Sequence, residues 1–351
     1  MEKKTTYHEQ KDVENILRLR EVLSTLPPFC RDYFRAIDTT TTTKTRISYA
    51  YDIRIFFNFL LTENPAFKEK TMSDITVDVL DQIQAVDIEE YQEYLKVYQA
   101  GDKTETNGER GLKRKISALR SFYAYYYRRE MIETNPTVLI DVPKIHDKSI
   151  IRLDTDEVAL LLDYIEHCGD QLTGQKRVYY EKNKERDLAI VTLLLGTGIR
   201  VSECVGLDIE DVDFKNNGIK VTRKGGNEMV VYFGPEVEKA LKRYLEVREN
   251  IIPLEGHEHA LFYSAQRRRI GVQAIENLVK KYSQQITTTK KITPHKLRST
   301  YGTALYQETG DIYLVADVLG HKDVNTTKKH YAAIDDARRR QAAKAVKLRE
   351  D

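Results

Sequence analysis

The feature that most constrains the fold is a break in pattern between residues 135 and 148. Asn135-Pro136 and then the segment VPKIHDK at 142–148 interrupt the helical spacing, and both stretches are typical of a linker. A chain of 351 residues is also long for a single core and favours two domains. We therefore predict one domain over residues 1–145 and a second over residues 150–351.

The first predicted domain is helical throughout. In residues 45–61 apolar side chains recur three and four positions apart, and the threonine run 39–43 before them is suited to start a helix. A further helix is predicted near Asp87 to Tyr98, where acidic residues occupy the first turn. The polar, glycine-flanked segment Gly101 to Gly108 is predicted to be a loop. Four or five helices would pack together here.

The second predicted domain is mostly helical with a small antiparallel sheet. Helices are expected at 154–168 and 187–195, with a polar, charged stretch at 175–184 between them. The β-rich runs 218–223 and 228–233 are joined by Lys224-Gly225-Gly226-Asn227, which predicts a hairpin. Helices return from Pro235 onward. The fold class predicted for the whole chain is mainly α with a small antiparallel β-sheet.

The cysteine content and the apolar runs indicate the compartment. Cys30, Cys168 and Cys204 are odd in number and far apart, which disfavours a disulfide framework and fits a reducing compartment. No apolar run approaches the roughly 18 to 20 residues that span a bilayer, and the N-terminus lacks the apolar segment of a signal peptide. We expect a cytoplasmic protein with no membrane partner.

Net charge says little about partners, because 56 basic and 54 acidic residues nearly cancel. The segment 113–129, KRKISALRSFYAYYYRR, is nevertheless free of acids and interleaves aromatics with six cations: Lys113, Arg114, Lys115, Arg120, Arg128 and Arg129. One interpretation is a helix whose rings face the core and whose cations are merely solvated. The other is a helix that lays a basic stripe along a phosphate backbone.

Several residues of the second domain could carry chemistry. Arg200 follows the turn Gly196-Thr197-Gly198, although it could simply be a surface arginine paired with Glu203. Lys224 lies in the predicted hairpin, where an ordinary exposed lysine is an equally simple interpretation. Thr293 and Pro294 predict a helix start, which puts His295 and Arg298 on one face near a helix N-terminus, a good seat for a phosphate. A structural histidine is the alternative there.

The segment GHKDVNTTKKHYA at 320–332 completes the set. A helix is predicted over 311–319 with Gly320 as its end and His321 just beyond it, and a further short helix, starting near Asn325, would carry Tyr331. A zinc site is disfavoured, because zinc prefers closely spaced Cys, His and carboxylate ligands and these histidines are surrounded by lysines. We predict no metal site.

In combination, these motifs resemble the tyrosine recombinase family of phage integrases and Xer-type recombinases. The family pattern is Arg, Lys in a β-hairpin, His-x-x-Arg, Gly-His and Tyr, and the residues of this chain that match it in order are Arg200, Lys224, His295, Arg298, His321 and Tyr331. The resemblance covers the second domain and implies a two-domain architecture, with a helical core-binding domain before an α+β catalytic domain. The motifs KNKERDLAI at 182–190 and VTRKGG at 221–226 are most similar to single-recombinase Xer proteins.

The resemblance implies a chemistry that suits these residue types. Arg200 and Arg298 would bind the non-bridging phosphate oxygens as bidentate donors, with a hydrogen bond from His321. Tyr331 would attack to form a 3′-phosphotyrosine, with His295 as the candidate base and Lys224 protonating the leaving 5′-oxygen. One ester replaces another, so no cofactor is expected.

The partners follow from the same resemblance. It implies a double-stranded DNA recombination site and a homotetramer on two sites, joined through an amphipathic tail at 335–346, and it leaves room for an activating accessory protein. It also favours DNA contact by Lys113, Arg114, Lys115 and Arg120. Resolution of chromosome dimers is the function implied by the Xer motifs.

Two residues depart from the family pattern. Ser299 stands where a histidine is common, and Tyr331 follows His321 by ten residues where many Xer proteins have nine, which leaves His330 as a neighbour. The alternatives are an integrase or transposase of a mobile element, a type IB topoisomerase, or a DNA-binding relative without catalysis. No catalytic position is missing from the sequence, which disfavours the last.

Overall fold

The computed structural model describes residues 6–146, 150–223, 226–321, 323–325 and 327. The chain forms two compact units, residues 1–148 and residues 149–351, which divide within the segment predicted to be a linker. The predicted fold class is confirmed, since helices dominate both units and each unit contains one small antiparallel sheet. No helix in the described part of the chain is long and apolar enough to cross a bilayer.

The first unit is built from six helices and a two-stranded hairpin within its described residues. The helices are α1 (Tyr7–Leu23), α2 (Cys30–Ala36), α3 (Thr43–Glu63), α4 (Val79–Gln82), α5 (Ala85–Tyr94) and α6 (Glu109–Arg128), and the strands are β1 (Val97–Ala100) and β2 (Lys103–Thr106). Short 3₁₀ turns lie at Met72–Asp74 and Pro136–Leu139. The predicted threonine start is confirmed, because the Thr42 hydroxyl accepts a hydrogen bond from the Thr45 N–H at 3.3 Å at the start of α3.

The hairpin of the first unit corrects the sequence prediction. Residues 101–108 were expected to be a loop after a helix reaching Tyr98, but α5 ends at Tyr94 and β1 and β2 pair from Val97–Thr106 to Ala100–Lys103. Gly101 makes the turn with a φ of +63°. The strands have no buried residue, so they lack the alternation of apolar and polar residues that reveals a half-buried strand.

Aromatic side chains hold the first unit together. Phe122 of α6 lies edge-on to Phe57 of α3, with 6.1 Å between ring centroids, and 5.0 Å from Tyr126. The Tyr126 hydroxyl donates to the carbonyl of Phe29 at 2.8 Å, so even its polar end is satisfied inside the core. This packing turns the aromatic face of α6 inward, as the first interpretation of segment 113–129 required.

The second unit contains seven helices and a three-stranded sheet within its described residues. The helices are α7 (Thr155–His167), α8 (Gly174–Thr197), α9 (Val201–Gly206), α10 (Pro235–Arg248), α11 (Val272–Ile286), α12 (Pro294–Thr309) and α13 (Ile312–Leu319), and the strands are β3 (Val212–Asp213), β4 (Gly218–Thr222) and β5 (Glu228–Tyr232). The order in the sheet is β3-β4-β5, all antiparallel. The predicted hairpin is confirmed, and β3 is an additional edge strand.

Helix α8 also corrects a prediction. The polar stretch 175–184 is not a separate segment but the first half of one continuous helix that runs from Gly174 to Thr197. Its lysines and glutamates are good helix formers, and Lys184 pairs with Glu181 one turn away at 2.8 Å. Apolar periodicity failed to reveal this half because the helix is exposed there and buried further on.

The end of α8 fixes where the next residues can go. Gly198 ends the helix with a φ of +62°, a conformation that L side chains rarely adopt. A Cβ at this position would lie 2.4 Å from Cδ1 of Tyr301 in α12, so the close approach of the two helices also requires glycine. The chain therefore leaves α8 beside α12 and enters α9 at Arg200.

Candidate active site

Arg200 is anchored by the first turn of α9. Its N–H donates to Oε2 of Glu203 at 2.8 Å and its Nη1 donates to Oε1 at 2.7 Å, while Nη2 donates to the carbonyl of Gly320 at 3.2 Å. The Glu203 side chain is 3% exposed and that of Arg200 is 34% exposed. Arg200 is therefore paired with Glu203. It also contacts the turn at Gly320, so it is not an isolated surface arginine.

Arg298 reaches the same place from α12. The helix begins as predicted, with Thr293 before it and Pro294 at its first position. The buried Arg298 guanidinium donates to the carbonyl of Gly198 at 2.5 Å and to the carbonyl of Leu319. The structure thus brings Arg200 and Arg298 to neighbouring carbonyls at the end of α13.

His295 and Ser299 lie on the same helix as Arg298. His295 is exposed in the first turn, three residues before Arg298. Its carbonyl accepts a hydrogen bond from the Ser299 hydroxyl at 3.1 Å. The serine that departs from the family pattern is therefore engaged within its own helix.

His321 is positioned by the turn that ends α13. Gly320 ends the helix with a φ of +60°, its N–H donates to the carbonyl of Asp317 at 2.7 Å, and the His321 N–H donates to the carbonyl of Ala316 at 2.9 Å. These two bonds are those of a Schellman motif, and they confirm the predicted helix end. Nδ1 of His321 lies 2.7 Å from the hydroxyl of the fully buried Thr327, which sets the orientation of the imidazole.

Arg223 is a member of this cluster that the sequence did not reveal. It directly follows β4, and its guanidinium donates from Nη1 to the carbonyl of Leu319 and from Nη2 to that of Val318, each at 2.8 Å. Nη1 also lies 3.7 Å from Oε1 of Glu203. The only signal in the sequence is its place before Lys224, since a basic residue in a hairpin is ordinarily exposed.

Two predicted site residues, Lys224 and Tyr331, lie outside the described residues, as do the predicted helix that carries Tyr331 and the tail at 335–346. Their neighbours in sequence are described. Arg223 precedes Lys224, and Thr327, which contacts His321, is the last described residue before Tyr331. The described part of the chain contains no group of three or more His, Cys, Asp or Glu residues that could hold a metal ion.

The charges at this site favour an anion. Among the described residues, three guanidinium groups, those of Arg200, Arg223 and Arg298, converge near two carboxylates, those of Glu203 and Asp317. Burial lowers the pKa of Arg223, and the nearby Glu203 carboxylate opposes that effect. An arginine keeps its charge at any physiological pH, so the site holds more positive than negative charge. A phosphodiester in which negative charge develops during attack would be stabilised there.

The four predicted DNA-binding residues lie in the first unit, on α6, and have different environments. Lys113 is exposed. Arg114 pairs with the buried Asp52, Lys115 is only 6% exposed and donates to Oδ1 of Asn107 at 2.8 Å, and Arg120 donates to the carbonyl of Thr137 at 3.2 Å and to that of Ile140. Three of these four cations thus have contacts inside the first unit, and Lys113 is the one that best fits a contact with a separate molecule.

A profile of the phage integrase family matches residues 152–338, more than half of the chain. The chain belongs to the phage integrase family. It is 33% identical to tyrosine recombinase XerC of Caldanaerobacter subterraneus subsp. tengcongensis, over 90% of this chain and 86% of the relative. It is 31% identical to tyrosine recombinase XerS of Lactococcus lactis subsp. cremoris, over 92% and 96%. The predicted resemblance is confirmed: the chain is a site-specific tyrosine recombinase of Xer type, a DNA strand-transferring enzyme.

Solved structures share the fold. A XerH recombinase bound to its difH substrate in a pre-cleavage complex matches 86% of this chain and 79% of its own, with a TM-score of 0.60 and 21% identity. The integrase of the Tn1549 transposon, in complex with a circular-intermediate DNA, matches 89% and 98%, with a TM-score of 0.62 and 21% identity. At these identities the likeness supports the two-domain recombinase fold.

Proposed function

We propose that this recombinase cuts and rejoins DNA through a 3′-phosphotyrosine intermediate and resolves chromosome dimers in the cytoplasm. The observation that carries the proposal is the convergence of Arg200, directly before α9, and Arg298 of α12 on the turn that presents His321. Guanidinium groups in that arrangement are suited to hold the two non-bridging oxygens of one phosphate.

In the proposed reaction, bond making and bond breaking balance without a cofactor. The Tyr331 oxygen attacks the phosphorus and loses its proton to His295, the bond from phosphorus to the 5′-oxygen breaks, and Lys224 gives a proton to that oxygen. Arg200, Arg298 and His321 stabilise the charge on the phosphate oxygens during attack. The exposure of His295 suits a group that must meet a tyrosine supplied by another part of the chain.

We also propose the assembly that the reaction needs. Double-stranded DNA is the partner, and four copies would act on two sites, joined by the tail at 335–346. An accessory protein that activates the enzyme fits this scheme. An integrase or transposase of a mobile element uses the same chemistry, and the likeness to the Tn1549 integrase keeps it as the second candidate. The identity to XerC and XerS over most of the chain favours the chromosomal role.

A suicide duplex tests the chemistry. A recombination site would be recovered by selecting random-sequence duplexes that the protein binds, and a nick beside the cleaved phosphate would trap the covalent adduct on a denaturing gel. We expect an adduct with the wild type and none with Tyr331→Phe. Tyr313→Phe is the matched control, because Tyr313 is 71% exposed on α13 and has no proposed role. An adduct with Tyr331→Phe would refute the nucleophile assignment.

A second experiment separates the two candidate roles. A plasmid dimer with two directly repeated sites should be resolved to monomers by a dimer-resolving enzyme. An integrase would instead join sites that differ in sequence, which sequencing of the junctions would reveal. Junctions only between unlike sites would contradict the chromosomal role and favour the mobile-element alternative.

A further inference from the structure

Arg223 occupies a position that the proposed chemistry does not use. It is the first residue beyond β4, and its main chain is fixed in the hairpin, since its N–H donates to the carbonyl of Asn227 at 2.7 Å and its carbonyl accepts from Gly226 at 3.0 Å. The residue that follows it in the sequence is Lys224, the proposed general acid. Because the two residues are joined by a peptide bond, the position of the Arg223 main chain limits where Lys224 can lie.

The side chain of Arg223 ties this hairpin to the end of α13. The last carbonyls of a helix have no partner within it and carry its negative dipole end, and Arg223 donates to two of them, those of Val318 and Leu319. Nε of the same guanidinium lies 2.9 Å from Sδ of Met229 in β5. The Arg223 side chain is 8% exposed, so it bridges the hairpin and the helix from a buried position and not as a surface cation.

The turn beyond α13 is shaped around this guanidinium. A Cβ at Gly320 would lie 2.7 Å from Nη1 and 2.8 Å from Cζ of Arg223, so a larger residue could be accommodated only if the arginine moved. His321 follows this turn directly. Hence the Arg223 side chain directly links the hairpin that precedes Lys224 to the turn that presents His321.

We infer that Arg223 is a positioning residue that holds the general acid Lys224 in register with His321 at the scissile phosphate. Arg200 and Arg298 also donate to this helix end, but from α9 and α12, so Arg223 is the arginine in this cluster that belongs to the hairpin. Its bonds run to main-chain carbonyls, and its effect on the reaction passes through Lys224. The inference rests on the proposed function.

A substrate that needs no general acid isolates this role. If sulfur replaces the bridging 5′-oxygen of the suicide duplex, the leaving group is a thiolate, whose conjugate acid has a pKa of about 8.5 and which departs without a proton from the enzyme. We expect Arg223→Gln to slow adduct formation on the oxygen substrate at least about tenfold, and to leave the rate on the sulfur substrate within about threefold of wild type. Lys224→Ala should show the same recovery.

Arg248→Gln is a matched control for loss of a buried arginine. Arg248 and Arg223 are each 9% exposed as whole residues, and Arg248 too donates to main-chain carbonyls, at Ala260 and Leu261, away from the site. Any fall in the rate of adduct formation that Arg248→Gln causes should be of the same size on the oxygen and the sulfur substrate. Thermal unfolding of both variants would show that equal amounts of folded protein are compared.

The outcomes separate the inference from the proposed function. If Arg223→Gln slows both substrates equally, or neither, the positioning role is wrong. If wild-type protein forms no adduct with either substrate, the proposed chemistry fails and the inference fails with it. The positioning role would be established if Arg223→Gln and Lys224→Ala regain a rate of adduct formation near that of wild type on the sulfur substrate and Arg248→Gln does not.

Discussion

Replacement of Gly320 by alanine tests a crowded point of the site. The backbone there has a φ of +60°, which costs an L residue about 1 kcal/mol or somewhat more. The new Cβ would also displace the Arg223 guanidinium from at least one carbonyl, and a hydrogen bond to a charged group contributes about 1.5 to 3 kcal/mol. Together these terms predict a loss of about 2.5 to 4 kcal/mol in the local stability of the turn.

Gly256→Ala provides the matched control in the same unit. Gly256 also has a positive φ, of +82°, but a Cβ there would meet nothing within 4 Å. This variant should therefore lose only the strain of about 1 kcal/mol. The difference between the two variants, about 1.5 to 3 kcal/mol, measures the contact with Arg223 separately from the strain.

Amide hydrogen exchange followed by mass spectrometry is the suitable assay, because it reports the free energy of local opening. The peptide that spans 316–321 contains the N–H groups of Gly320 and His321, whose bonds close the turn. Gly320→Ala should reduce the protection of this peptide at least about sixtyfold, since each 1.4 kcal/mol is a factor of ten and the expected loss is at least about 2.5 kcal/mol. Gly256→Ala should leave it unchanged. Unchanged protection in Gly320→Ala would refute the reasoning, because the turn would then accept a Cβ without moving Arg223.

Three further predictions concern other parts of the chain. Glu203→Gln removes the carboxylate between Arg200 and Arg223, so adduct formation should slow about tenfold or more on the suicide duplex, and a wild-type rate would contradict the ion-pair network. Burial, opposed by Arg114, raises the pKa of Asp52 to about 6, so the folded protein binds a proton that the unfolded chain releases nearer pH 3.8. Wild-type stability should therefore fall by about 3 kcal/mol as the pH rises from about 4 to 6, and urea unfolding of Asp52→Asn should lack this decline. Lys113→Gln should reduce the slope of log affinity against log salt for a random-sequence duplex by about 0.9, whereas Lys115→Gln should lower thermal stability and leave that slope unchanged.

The sequence predicted those parts of the fold that depend on local signals. Glycine and proline marked a helix start correctly at Pro294 and a helix end correctly at Gly320, because these residues act through the backbone of their own turn. Apolar periodicity failed where a helix or strand buries little, as in the first half of α8 and in the hairpin of β1 and β2. A solvated element is stabilised by propensity and ion pairs, which leave no apolar pattern.

The candidate site was predictable in its residue types but not in its contacts. The order of Arg200, Arg298 and His321 could be recognised, whereas Arg223 could not, because its importance comes from carbonyls some 95 positions further along the chain. Thr327 was missed for a similar reason, since a threonine in a polar run gives no sign that it is buried against His321. The sequence also gave no sign that Lys115 of α6 is buried, because a lysine in a basic segment is ordinarily exposed.

The carbonyls that accept from Arg200 and Arg298 have a consequence for inhibition. Each guanidinium already bonds to main-chain oxygens of its own unit, which are present at a high effective concentration and cost no entropy of association. A free phosphate or nucleotide would have to compete with these oxygens for the guanidinium donors through only its own few contacts. A long duplex, held by many contacts at once, can do so. Small anions should therefore be poor competitors of DNA, and the site should discriminate against the abundant phosphates of the cell before any base sequence is read.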